Sequence, residues 1–426
     1  MAGALTTPGW LRLWARDKFL PEGLSLGNEA RAGLITAALA LPQAIAFAGL
    51  AGLPPQMGLW ACVIPLVLTA LVGDLPHLVT GPIVSVSLVM CSTLQLYATP
   101  GSRAYIGDAA VVTLGVGLLQ LLIAGSGLVR LIDWIRAWGT EAITNAVAIA
   151  LLLSQVPSAL GLTTARLPDW QQAWTALLDI RGANRAAIGL FLVTFGLGIV
   201  LGKAPWPMVR QLRLAIVLAL GTALAWLLGL QVLQVGYAPP GLPWTHMAWD
   251  AQTRAWLPQW TGLMLNLAVL ALLQSVVLAR AFKLRNPDRP VSLRREALAQ
   301  GVANVVIAFT GGYVSGASFN RSITHARLGA RCALAIVLAA GFLLLAAAAA
   351  PSLIACIPYP AMAAMLALTA VNMMEFRHAR ARSFIAGCSV LVVACGLFIG
   401  IGWAVALAFG VAVAQHLAAT AGQRED

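Results

Sequence analysis

The stretch YVSGASFNRS, from Tyr313 to Ser322, decides how this chain folds. It places Arg321 inside an otherwise apolar region, where a guanidinium at mid-bilayer costs roughly 2.5–3.5 kcal/mol even on lenient insertion scales. Gly311, Gly312 and Gly316 just before it disfavour a continuous spanning helix, and Ser318 or Asn320 is placed to cap a helix that starts half-way through the membrane. A fixed positive charge at the start of a buried helix adds to the field of the helix dipole, so its natural counter-charge is an anion. We expect that anion to be the substrate.

A second stretch, LVTGPIVSVS from Leu78 to Ser87, has the same character. Gly81 and Pro82 interrupt it and a helix-compatible run follows, with proline suited to the first turn. The two interruptions fall in the third apolar segment of each half of the chain, the pattern of a transporter built from inverted repeats with a site at the midplane. Two helix N-termini are then expected to face each other across one cavity.

Composition makes the membrane assignment. Of 426 residues 60% are hydrophobic and 10% charged, so a soluble domain would have no surface on which to hide so much apolar area. A spanning helix takes about 20 apolar residues. Fourteen segments fit: 31–50, 56–72, 78–97, 107–125, 140–160, 186–202, 211–229, 262–283, 293–311, 318–329, 332–350, 358–374, 384–398 and 401–419. With both termini cytoplasmic, the outer loops hold Arg103, Arg166, Arg181, Arg185 and Arg254, Arg321 lies in the span, and the other 21 of the 27 Lys and Arg residues fall inside. That asymmetry follows the positive-inside rule and explains the net charge of +12 without a nucleic-acid partner. Residues 1–30, with Trp10, Arg12, Trp14, Arg16 and Lys18, read as an interfacial helix and not as a cleavable signal peptide.

The outer stretches 161–185 and 230–261 carry Trp170, Trp174, Trp244, Trp249, Trp256 and Trp260, which are expected at the headgroup level, as lids or plain connectors. Asp108, Glu141 and Glu296 fall near predicted helix starts and read as caps, while Gln120, Gln155 and Asn145 read as interhelical hydrogen-bonding residues. The six cysteines form no CxxC pair and the five histidines show no ligand spacing. No paired carboxylates or nucleophile with a base lies within the spans, so no catalytic site, metal or cofactor is expected.

The runs AALALPQAIAFAGLAGLPPQMGLW (Ala37 to Trp60), GDLPHLVTGPIVSVSL (Gly73 to Leu88), ALAQGVANVVIAFTGG (Ala297 to Gly312) and GASFNRS (Gly316 to Ser322) resemble the SulP, or sulfate permease, anion transporters, whose animal relatives include pendrin and prestin. The resemblance implies an all-α polytopic membrane protein of 14 transmembrane segments in a seven-plus-seven inverted repeat, a fold shared with uracil transporters. A transmembrane domain over 31–420 would divide into a core (31–125 and 262–350) and a gate (126–229 and 351–420). Segments 3 and 10 would be half-helices. A homodimer in the plasma (inner) membrane, in contact with lipid, is implied as well.

The resemblance places the anion between the N-termini of segments 3 and 10, walled by segments 1 and 8. It implicates Gln43, Phe47, Ile83, Asn320, Arg321 and Ser322. Gln43 and Phe47 lie four residues apart and share one helical face. Ser85 and Ser87 are placed either to donate hydroxyls or to pack between close helices. Gln274 stands where cation-driven members of the family carry an acid, and Asn320 where a serine is usual. The family's cytoplasmic STAS domain is expected to be missing, because only 421–426 follow the last segment. Sulfate, bicarbonate, chloride or a dicarboxylate is the expected cargo of a secondary transporter. An anion channel, a prestin-like motor and a cation-coupled symporter are the alternatives.

Overall fold

A computed structural model describes residues 18–132, 135, 137–162, 169–236, 251–285, 291–349, 351–375 and 383–422. Much of the expected N-terminal interfacial helix, with Trp10 to Arg16, and Trp244, Trp249 and Arg166 lie outside the described residues. The main helices are α1 (Leu26–Leu50), α2 (Pro55–Val72), α3 (Val84–Leu94), α4 (Arg103–Ser126), α5 (Ala137–Leu160), α6 (Arg185–Gly202) and α7 (Pro207–Leu227). They continue as α8 (Ala251–Arg285), α9 (Leu293–Phe309), α10 (Phe319–Arg327), α11 (Leu334–Ala349), α12 (Tyr359–Met373), α13 (Ser383–Phe398) and α14 (Ile401–Gly422). Among the described residues, α1, α2 and α4 to α8 are long and apolar enough to cross a bilayer. Shorter apolar helices are α3 and α11 to α14.

Local chemistry sets the helix starts. Pro55 and Pro207 occupy first turns, where a missing N–H costs nothing. Ser102, Asn184 and Ser292 cap α4, α6 and α9 through side-chain oxygens that accept from Tyr105, Ala186 and Arg295 amides. Asp108 therefore lies inside α4 and not at its cap, because the helix begins at Arg103. Glu296 does not serve its own helix either: its carboxylate accepts the amides of Asp74 and Leu75 in the loop after α2. Gln120 does bridge helices, accepting from Asn304 at 2.8 Å, and Asn145 exchanges two bonds with the backbone of Glu375 beyond α12. Gln155 instead bonds within its own helix, to the Leu151 carbonyl and Ser154.

The largest difference from the sequence-based segments is α8, which begins at Ala251 and not near 262. Its first turns carry Trp256 and Trp260, whose rings pack 4.9 and 5.9 Å from that of Tyr97 beyond the end of α3. Trp260 is fully buried, so its ring packs against protein and does not face lipid headgroups.

Helices α1 to α4 pack mainly with α8 to α11, while α5 to α7 pack with α12 to α14. The two groups meet along α1 with α7 and α12, α3 with α5 and α14, and α8 with α14. Small residues allow the closest crossings. A Cβ at Gly58 would sit 2.0 Å from the Ala44 carbonyl oxygen, and one at Gly117 2.7 Å from the Val305 amide.

Two short extended strands, β1 (Thr80–Gly81) and β2 (Gly316–Ala317), pair antiparallel in the register Thr80 with Ala317 and Gly81 with Gly316. They lead into α3 and α10. Side chains hold them from α9. Asn304 accepts from the Ser315 amide and hydroxyl at 2.8 and 3.1 Å and donates to the Ser315 carbonyl at 3.1 Å. Gln300 donates to Thr80 Oγ1 at 3.1 Å. Replacing Asn304 with Leu strands both backbone groups of Ser315 and the Gln120 carbonyl, and each buried orphan costs about 1–3 kcal/mol. We expect Asn304→Leu to lower the thermal unfolding temperature in detergent much more than Gln120→Leu, which removes one bond; equal effects would mean that the β2 backbone does not depend on this side chain.

Candidate anion-binding site

Helix α3 starts abruptly. Ile83 holds the N-cap position in extended conformation and has no side chain able to cap, and the first bond from within the helix is Ser87 N–H to the Ile83 carbonyl. The amides of Val84, Ser85 and Val86 are those that helix geometry leaves without an intrahelical acceptor. The proline of this region, Pro82, precedes the cap and lies outside the first turn.

Helix α10 repeats the arrangement. Ser318 is its N-cap but its hydroxyl caps nothing, and the first intrahelical bond is Ser322 N–H to the Ser318 carbonyl. That leaves the amides of Phe319, Asn320 and Arg321. Phe319 is 40% exposed and Asn320 is exposed beside it, so the start of α10 borders open space.

Arg321 turns away from that space. It is the only buried Lys or Arg among the described residues, at 2% exposure, and its Nη2 donates to the Pro82 carbonyl at 2.8 Å. Nη1 lies 3.8 Å from Cys62 Sγ, and Nε makes no hydrogen bond. The guanidinium crosses over Gly81, where a Cβ would come within 3.2 Å of Nη2. The facing strand is equally tight, for a Cβ at Gly316 would meet Ile83 Cδ1 at 2.8 Å. The positive charge of α10 thus lies against the entry to α3, where a side chain at Gly81 would crowd it.

Ser85, almost wholly buried, accepts from Gln274 Nε2 at 3.1 Å, which ties α8 to the first turn of α3. Gln274 is half-buried and faces into the bundle. Ser322 is committed to the scaffold: its hydroxyl accepts the Val79 amide at 2.9 Å, while the Val79 carbonyl accepts from Ser318 N–H at 3.0 Å. Ser87 is paired with the Tyr313 hydroxyl at 3.1 Å. Gln43 is buried with no hydrogen-bond partner among the described residues, and Phe47, one turn on, packs in the cluster that contains Ile83, Val84 and Ala271. The structure therefore gathers Ile83, Ser85, Gln274 and Arg321 around one pair of helix starts. Asn320 stands at the open edge, and Ser322 is turned to the strand behind.

Sequence reasoning missed Cys62, Thr80, Gln300 and Asn304, which position this cluster. The signal for the last two is visible in hindsight: two amides spaced four apart in an apolar helix must share a buried face. Among the described residues no group of three or more His, Cys, Asp or Glu is disposed to hold a metal.

Comparison with known proteins follows the same outline. The family model of the sulfate permease family matches residues 26–395. A probable sulfate transporter of Mycobacterium tuberculosis is 28% identical over 397 residues, covering 90% of this chain and 69% of that protein. Sulfate transporter 2.1 of Arabidopsis thaliana is 28% identical over 351 residues, 78% of this chain and 50% of its own length. Among solved structures, the transmembrane domain of the cyanobacterial bicarbonate transporter BicA superposes with a TM-score of 0.79 at 20% identity, covering 89% of this chain and 97% of that one. The murine Slc26a9 anion transporter in its inward-facing state gives 0.82 at 16% identity, covering 98% and 73%. With a family match running from α1 into α13 and the same fold in both structures, this chain belongs to the sulfate permease family.

Proposed function

We propose that this multi-pass membrane protein is a secondary transporter of small anions that binds its cargo between the N-termini of α3 and α10. One observation carries the proposal: two uncapped helix starts are pinned side by side by β1 and β2, with the buried Arg321 guanidinium laid across the join. Up to six amide donors and one full positive charge then act on the same small volume. The names of the relatives, sulfate and bicarbonate transporters among them, agree in charge though not in species.

Arg321 acts mainly through its field. Its Nη1 and Nη2 already serve Cys62 and Pro82, so the anion is held mainly by amides, by Ser85 and by the Gln43 and Gln274 amides, with Phe47 and Ile83 limiting its size. Such a site binds without a tight salt bridge, and release is as necessary to transport as binding. The α1–α7 and α8–α14 halves are read as inverted repeats making 14 spans in all. On that reading α1–α4 with α8–α11 form a core that carries the site past a gate of α5–α7 and α12–α14. Exposed apolar residues on the gate, including Leu192, Val193, Leu220 and Trp226, are assigned to lipid or to a second copy in a homodimer of the plasma membrane.

Reconstituted liposomes loaded with one anion and challenged with a labelled panel test the assignment, since a carrier shows saturable uptake accelerated by anion on the far side. A channel would show neither. Arg321→Ala should weaken binding of the best anion by about tenfold or more, equivalent to roughly 1.4 kcal/mol. Arg321→Lys should lose less, and unchanged transport by Arg321→Ala would place the site elsewhere.

Cation coupling follows from Gln274. A neutral amide at the α3 entry neither binds a proton nor gives sodium a charge, so we expect little direct dependence on either gradient. Gln274→Glu should introduce inhibition as pH rises, because the ionised carboxylate at the α3 N-terminus competes with the anion and the protonated acid does not. Strong stimulation of the unmodified protein by a sodium or proton gradient would show that coupling runs through another group.

A cleft of about 190 Å³ separates the two helix groups near the end of α3, with Ser92 on α3 and Ser158 on α5 among its walls. Cysteines at these two positions, bridged by a thiol-reactive linker in a background without the native thiols, should halt transport reversibly. Full transport by the bridged protein would exclude movement of the core against the gate.

A further inference from the structure

Helix α10 is nine residues long, too short to be stable without its neighbours, and its start carries no side-chain cap. Arg321 fixes one end of it through the Pro82 carbonyl. The other end is fixed by His325, which lies one turn on and therefore on the same face of the helix. His325 is fully buried, and its Nδ1 and the Thr36 hydroxyl of α1 are hydrogen-bonded at 2.7 Å. That bond is its one polar tie among the described residues, because Nε2 has no hydrogen-bond partner. The imidazole is confined as well by the ring of His77, 6.2 Å away, which packs 5.6 Å from Phe282 of α8. Thr36 is buried too, and α1 is fixed at this level: a Cβ at Gly33, one turn earlier, would come 2.7 Å from the Ala335 carbonyl oxygen of α11. Ile323 and Ala326 pack instead in an apolar cluster with Leu278 and Phe282 of α8. Apolar packing has no direction and tolerates sliding, whereas a hydrogen bond sets a register.

We propose that Thr36 and His325 are positioning residues of the anion site, an inference that rests on the function proposed above. Counted from the pair at 1.5 Å per residue, Arg321 stands about 6 Å along α10 and Gln43 about 10 Å along α1. Seven residues are close to two full turns, so Gln43 shares the face of α1 that carries Thr36. The side chains that the two helices offer to an anion are thus referred to one fixed point. Without the bond α10 is free to turn or slide on α1, and the amides of Phe319, Asn320 and Arg321 move with it. Thr36 and His325 act through the helices and not on the cargo itself. The chemistry at position 325 is specific, because the bonded atom is Nδ1. An asparagine carboxamide takes the place of that atom, while the longer glutamine reaches the place of Nε2.

The experiment measures saturable uptake into liposomes with labelled sulfate, bicarbonate, chloride and oxalate as probes, together with thermal unfolding of the purified full chain in detergent. Thr36→Val should raise the half-saturation concentration of the best-carried probe about fivefold, with a smaller change in maximal rate, and Thr36→Ser should leave it unchanged. His325→Asn should keep the affinity of the unmodified protein and His325→Gln should lose it. In the His325→Gln background Thr36→Val should add nothing further, since the bond is already gone. The proposal is overturned if Thr36→Val keeps the unmodified half-saturation concentration, if its effect multiplies with that of His325→Gln, if glutamine serves as well as asparagine, or if the variants lower only the unfolding temperature and the maximal rate. Should the His325 variants fail to fold, Thr36→Val against Thr36→Ser decides. Arg321→Ala, measured alongside, separates this inference from the one it rests on. Affinity lost in Arg321→Ala but kept in Thr36→Val overturns the positioning role alone, whereas affinity kept in Arg321→Ala, or no probe carried by the unmodified protein, overturns the site and the positioning role together.

Discussion

Inside a bilayer no water is available to a backbone amide, so unwound chain at mid-membrane is stable only where protein satisfies it. In this molecule that requirement falls on Val79 to Ile83 and Val314 to Ser318, and it is met from all sides. The strands pair with each other, Val79 binds Ser318 and Ser322, and Asn304 and Gln300 reach in from α9. The proposed site depends on this join. Because β1 and β2 use up their own backbone groups, the helices that follow can begin with amides still to spare.

The join also explains how a buried arginine is tolerated. Its cost is offset by the Pro82 carbonyl, by the thiol of Cys62 and by the room left at Gly81, and among the described residues no carboxylate pairs with it. A carboxylate partner would neutralise the charge on which the proposed anion site depends. Carbonyl and thiol partners hold the guanidinium in place and leave its field in force. The same logic bears on Gln274, whose amide bonds Ser85 without adding charge to the α3 entry.

Much of this was legible in the sequence, for a physical reason. Glycines, a proline and one arginine within apolar runs are so unfavourable in a plain spanning helix that their presence announces an interruption, and Arg321, Gly81 and Gly316 were found that way. Less legible were residues whose part depends on a partner distant in the chain. Ser322 reads as a ligand for cargo, and its hydroxyl also accepts the Val79 amide and so holds the strand behind it. Glu296 looked like a cap and holds the loop after α2, and Trp260 looked interfacial and is buried against Tyr97. In each case local chemistry limited what the side chain could do, and only the tertiary neighbour decided which of those things it did.

The pairing of β1 with β2 bears on how the protein is made. The Val79 amide and the Ser322 hydroxyl that accepts from it are 243 residues apart, so the first strand is synthesised long before its partner. At roughly 5–20 residues per second, the ribosome needs on the order of 10–50 s to deliver the second half. During that interval the segment from Val79 to Ile83 has neither β2 nor α9 to satisfy its backbone. It must wait in the aqueous part of the insertion machinery or at the membrane surface, and enters the hydrocarbon only as α9 and α10 arrive. The paired helix starts are therefore among the last parts of the molecule to assemble, and a chain halted before α10 holds a complete α1 and α2 but not the join of β1 with β2.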